Sequence, residues 1–68
     1  MPLTPRQTVV LTALQALAAR LGYPPTSREL ARETGLSESR VRQHLEALET
    51  RGAIHKEPGT ARGIRVVV

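Results

Sequence analysis

Three helix starts, each answered by its own stop, and then a change of period constrain this chain more tightly than any other feature. The first start is Thr4-Pro5-Arg6-Gln7. Its Thr hydroxyl can accept an N–H from the first helical turn, Pro sits where its fixed φ suits a helix start, and Gln can reach back to the cap. Val10, Leu14, Leu17 and Leu21 then recur on one helical face, Leu11 and Ala18 widen it, and Gly22 supplies a left-handed stop. Tyr23-Pro24-Pro25 is too poor in N–H groups for helix and reads as a brief extended connector. Thr26-Ser27-Arg28-Glu29 repeats the capping box, and Leu30-Ala31 with Thr34-Gly35 makes a short second helix. The third start is Ser37, with Glu38 at the positive helix end and Leu36 set to pack on Val41. Val41, Leu45 and Leu48 then follow one face until Arg51-Gly52 closes it. The spacing predicts helices over about 5–21, 27–34 and 38–51.

Beyond Gly52 the period becomes two. Ala53-Ile54-His55-Lys56-Glu57 and Ile64-Arg65-Val66-Val67-Val68 flank Pro58-Gly59-Thr60-Ala61-Arg62-Gly63, which is turn chemistry between two strands. Ile64, Val66 and Val68 share one face, directed at the core, while Arg65 and Val67 point away. The expected fold is mainly α with a small β-hairpin over about 53–68, the element order of a three-helix winged helix-turn-helix. A chain of 68 residues without repeat, linker or low-complexity stretch is expected to be one such domain, residues 1–68.

Composition narrows the function classes. Ten basic residues, nine Arg and one Lys (Lys56), against six Glu leave a net charge of +4, which favours an anionic partner. Arg offers the forked, planar donor set that suits phosphates and guanine edges. There is no Cys, hence no disulfide framework or thiolate metal site, and the expected compartment is the cytoplasm. Apolar runs such as Val9 to Leu11 fall far short of the roughly 18 residues a membrane span needs, so no membrane partner is expected. Tyr23 is the only aromatic residue, which argues against single-strand binders that stack bases on rows of rings.

An enzyme is not expected either. Ser27, Ser37 and Ser39 lie at or beside helix starts, and Lys56 falls on a predicted strand, so no Ser–Lys nucleophilic pair is supported. His44 and His55 have no partners at metal-ligand spacing; His44 reads as a half-buried helix residue and His55 as a solvated strand residue or a phosphate contact. No Gly-rich nucleotide loop follows a strand, and no cofactor or small-molecule ligand is expected.

The third helix carries the candidate site. With Val41 at the centre of the buried face and about 100° per residue, Leu45 and Leu48 stay near it, while Ser39, Arg40, Arg42, Gln43 and Glu46 face outward. These lie in the N-terminal half of a helix that would enter the major groove. Arg can take both acceptors of guanine, Gln can exchange donor and acceptor with adenine, and Ser can serve either. Any exposed helix carries such residues for solubility; the short capped helix and tight Gly turn before this one make the difference. Arg62, beside Gly and Pro on a protruding hairpin tip, is expected to contact phosphate or the minor groove, so that its loss weakens binding on all sequences alike.

PPTSRELARETGLS, then HLEALETRGAI, then GTARGIRV together resemble the N-terminal DNA-binding domain of the LexA repressor family, from about Leu3 to Val68. LSESRVRQHLEALETRG is also similar to the winged-helix pattern of MarR-like and GntR-like regulators. The resemblance implies a sequence-specific regulator of double-stranded DNA, a repressor acting by promoter occlusion, in a bacterial, archaeal or phage-encoded setting. By that resemblance the base-contacting positions map onto Ser39, Arg40, Arg42 and Gln43, with Arg62 in the wing; Thr26, Ser27 and Arg28 complete the DNA-binding set. Two departures limit what carries over. The stretch from Gly35 to His44 looks one residue shorter than in that family and reads SESRVRQ, so operator preference does not transfer. The sequence also stops at Val68, where the family's linker to a self-cleaving, dimer-forming domain would begin, so self-cleavage is not assigned to these residues.

A second class of function also fits the element order: a winged-helix adaptor that docks on polymerase or replication machinery through helix 3. Such a surface needs an apolar or aromatic anchor, and Ser39, Arg40, Arg42, Gln43 and Glu46 supply none. One wing domain with few contacts should bind a half-site weakly, so a homodimer on a palindromic site is the form expected for tight binding.

Overall fold

A computed structural model describes residues 3–67. Each helix begins where its cap puts it. Thr4 Oγ1 accepts from the Gln7 N–H at 3.2 Å and Gln7 Oε1 accepts from the Thr4 N–H at 3.1 Å, opening α1 (Pro5–Leu21). That reciprocal bond explains how Gln7 stands among buried residues, since its amide oxygen is satisfied. Thr26 and Glu29 form the same box at 3.1 and 2.9 Å and open α2 (Ser27–Thr34). Ser37 Oγ accepts from the Arg40 N–H at 3.1 Å to open α3 (Glu38–Thr50). This cap is one-sided because the third helical position is Arg40, which has no acceptor to return.

Gly35 takes φ 76°, a left-handed conformation that lets its N–H reach the Ala31 carbonyl at 2.9 Å and turns the chain into Leu36-Ser37. The α2–turn–α3 unit of a helix-turn-helix is thereby closed. Helix α3 ends at Thr50, one residue short of the sequence expectation. Arg51 caps it, its N–H bonding the Ala47 carbonyl at 3.1 Å, and the left-handed turn falls on Gly52.

The three helices pack on one another, with β1 (Ile54–Lys56) against α3 and β2 (Ile64–Val66) against α1. Val10, Leu14 and Leu17 of α1, Leu30 of α2, Val41, Leu45 and Leu48 of α3, and Ile54 and Ile64 of the strands form one core. Each such side chain contributes about 1.5–3 kcal/mol on burial. Leu36 and Val66 pack at its margin. Helix α2 sends only Leu30 fully inside, so its position depends on that one anchor and on its polar ends.

The hairpin is antiparallel, pairing Ile54 with Val66, His55 with Arg65 and Lys56 with Ile64. Its strands are three residues each, shorter than the sequence expectation. The Glu57 N–H to Gly63 carbonyl bond at 2.9 Å is its last rung, because Pro58 has no N–H to continue. Ile64 and Val66 face the core and Arg65 and Val67 face out, as period two requires. Val68 lies outside the described residues. Three helices followed by this hairpin make the winged helix-turn-helix predicted from the capping and period pattern.

Candidate nucleic-acid interface

Packing of Val41, Leu45 and Leu48 into the core turns the opposite side of α3 to solvent. Ser39, Arg40, Arg42, Gln43 and Glu46 are all exposed there, as the helical arithmetic predicts. Among the described residues the exposed large apolar side chains are Val9, Tyr23 and Val67, none of them on α3. The face is therefore polar, with the donor and acceptor types that read base edges, and lacks an anchor for a protein partner.

The first turns of α2 and α3 are joined through one carboxylate. Arg42 Nη2 donates to Glu38 Oε1 at 2.6 Å, and Arg28 Nε lies 4.0 Å from Glu38 Oε2. The Glu38–Arg42 spacing of four was available in the sequence; the convergence of Arg28 on the same carboxylate needed the helix-turn-helix angle. Arg42 and Arg28 keep 62% and 77% of their side-chain surface open, so both retain free donors. Exposed pairs of this kind are worth about 0–1 kcal/mol, little enough for a phosphate or a base edge to replace. Thr26, Ser27, Arg28, Glu38 and Arg42 line one cleft with Ala61 of the wing tip. Four of the sequence-predicted residues, Thr26, Ser27, Arg28 and Arg42, thus line one cleft at the starts of α2 and α3, while Ser39, Arg40 and Gln43 are exposed on α3 outside its lining. Thr26 Oγ1 accepts from the Glu29 N–H, which leaves its hydroxyl proton to donate.

Arg62 departs from the picture of a protruding basic tip. Its guanidinium turns back onto the start of α2, donating from Nη1 to Glu29 Oε1 at 2.9 Å and to the Pro24 carbonyl at 3.1 Å, and from Nη2 to Glu29 Oε2 at 3.1 Å. It also lies over the Tyr23 ring, 4.8 Å from the centroid. The physical reason is the two-pronged match of guanidinium to carboxylate, which an extended side chain in water would forgo. Arg62, followed by the Thr26 N–H, holds the Glu29 carboxyl well below its ordinary value, down to about 2. Sequence reasoning missed Glu29, Tyr23 and Pro24 as partners of the wing. Only the capping role of Glu29 was visible locally.

On the outer face of the hairpin His55 Nε2 lies 3.3 Å from Glu57 Oε1, and Arg65 Nη2 lies 3.9 Å from the same oxygen. His55 is exposed, as expected of a solvated strand residue. His44 is partly buried on α3, with a buried Nε2 that has no hydrogen-bond partner. Among the described residues no three His, Cys, Asp or Glu side chains converge as metal ligands, and no helix is long and apolar enough to cross a membrane.

Comparison with known proteins bears on this site. The family model described as the LexA DNA binding domain matches residues 1–63. The LexA repressor of Pseudoalteromonas atlantica is 47% identical over 66 residues, covering 96% of this chain and 32% of that protein. The LexA repressor of Geobacter metallireducens is 46% identical over 66 residues, covering 96% of this chain and 33% of that protein. That of Aeromonas salmonicida is 43% identical over 68 residues, covering 98% and 33%. The chain spans about a third of the length of these curated relatives.

Proposed function

The chain belongs to the LexA DNA-binding domain family, and from that premise we propose that it is a sequence-specific reader of double-stranded DNA that represses transcription by occluding a promoter. Helix α3 enters the major groove and reads base edges through Ser39, Arg40, Arg42 and Gln43. Thr26, Ser27 and Arg28 hold the phosphate backbone at the start of α2, and the wing carrying Arg62 lies along the backbone or minor groove. The observation that carries this reading is the single cleft in which Arg28, Arg42 and the wing tip meet beside an α3 face without apolar side chains. Residues 1–68 act as one DNA-binding unit, and two copies occupy a palindromic site, because the contacts of one copy suffice only for weak half-site binding.

Selection of bound fragments from random duplex DNA, with the stoichiometry of the complex measured alongside, tests the proposal. Enrichment of a repeated half-site, bound by two chains per palindrome, is expected. Enrichment of no sequence would overturn it.

A further inference from the structure

Beyond the core packing of its strands, the wing meets the start of α2 through a bidentate side-chain contact at its tip. Arg62 stands 33 positions after Glu29 and donates to both of its carboxylate oxygens at 2.9 and 3.1 Å. Glu29 Oε1 also accepts the Thr26 N–H at 2.9 Å, so the carboxylate that caps α2 is the one that receives the wing. The Pro24 carbonyl and the Tyr23 ring complete the seat, the first at 3.1 Å and the second 4.8 Å from the guanidinium carbon. The three residues that hold Arg62 lie within the seven positions from Tyr23 to Glu29, which also contain the reciprocal cap of α2: Pro24 is fixed by its ring and Glu29 by the capping box.

A guanidinium committed in this way has few donors left for a phosphate. Yet the next residue back, Ala61, lines the cleft with Arg28 and Arg42. The hairpin itself cannot set that placement. Its paired strands end at Lys56 and Ile64, and past the Glu57 N–H to Gly63 carbonyl rung the turn has one further backbone bond, from the Gly63 N–H to the Thr60 carbonyl at 3.4 Å. We infer that Arg62 and Glu29 are positioning residues: together they seat the wing tip beside the starts of α2 and α3, so that DNA meets a preformed surface, and Arg62 is not itself the phosphate contact. This rests on the proposed reading of duplex DNA and adds to it which residues orient the wing.

The test compares parent, Arg62→Lys, Arg62→Ala and Glu29→Gln in binding to the duplex obtained by selection, each at several salt concentrations. Glu29→Gln keeps an acceptor for the Thr26 N–H and so spares the cap of α2. Circular dichroism on each variant confirms that the helices are retained. If a loosened wing occupies its seat only about a tenth of the time, apparent affinity falls about tenfold. All three variants are expected to lose affinity by a similar factor of this order, with the slope of log K against log salt unchanged. Arg62→Lys is the sharpest arm, because Lys keeps the charge but lacks the fork. A phosphate-contacting Arg62 gives a different set of results: Arg62→Lys near parent, Arg62→Ala with a slope lower by about one, and Glu29→Gln neutral or tighter. That set would overturn the inference while leaving the DNA-binding reading intact. Failure of the parent to bind any duplex overturns both.

Discussion

Arg42 and Arg28, from two different helices, point their guanidiniums at the two oxygens of Glu38, 2.6 Å away for the first and 4.0 Å for the second. The acid does not cancel the basic face so much as arrange it. Two long, flexible side chains are drawn to one spot at the mouth of the cleft, with most of their surface still open to a ligand.

Arg42→Ala is expected to relax base preference at one position of the bound site by about 1–3 kcal/mol, the worth of a bidentate guanine contact. Arg28→Ala should instead weaken binding on every sequence alike and lower the salt slope by about 0.9, the mark of one lost phosphate. Competition binding against a panel of single-base variants, repeated across salt concentrations, separates the two. Equal loss of selectivity in both variants would contradict the assignment of roles.

Glu29 makes wing attachment sensitive to acid. Its carboxyl is held at about 2 in the folded protein against an ordinary 4.5, so the charged form is favoured by folding. With a depressed folded value, the stabilising contribution is complete above about pH 4.5 and is lost as pH falls toward 2. Urea-denaturation midpoints should fall across that window in the parent and fall less in Glu29→Gln, which is already weakened at neutral pH. Parallel profiles for the two proteins would show that the pair contributes nothing to folding.

Gly63 fits where no side chain does. A Cβ there would run into Glu57 Cβ and come within 2.7 Å of Thr60 Cγ2. Gly63→Ala is therefore expected to reshape the turn between β1 and β2 while leaving the helices intact. Amide NMR shifts should move throughout Glu57–Ile64 and stay in place along α1 and α3. Unchanged wing resonances would mean that the turn accommodates the methyl group.

Leu30 is the one fully buried anchor of α2. Leu30→Ala should cost about 2–5 kcal/mol, comparable to the whole stability of a domain this small. Thermal unfolding is expected to begin well below that of the parent, with duplex binding lost in step because the helix-turn-helix angle goes with it. Retention of full binding and unfolding temperature would show that the polar ends of α2 alone hold it in place.

The helices were almost fully legible in the residues. Thr4, Thr26 and Ser37 each sit beside the N–H they cap, and Val41, Leu45 and Leu48 repeat at the helix's own period, so both signals act within one or two turns of chain. The hairpin was legible in kind and overextended in length, because alternation continues through Glu57 and Val67 while the ladder stops at Pro58. The outward face of α3 followed directly from knowing its inward face.

What the sequence by itself determined, then, is which segments fold, where each helix starts and, to within a residue, stops, and which side of α3 is left for a partner. The tertiary structure alone decided how charges from separate segments meet. Arg28 reaches Glu38 only because Gly35 turns α3 across α2, and Arg62 reaches Glu29 only because Ile54 and Ile64 pin the hairpin to the core. Capping and periodicity are local interactions and can be read along the chain. An ion pair across 33 positions depends on every chain reversal between its members, and no local rule carries that distance.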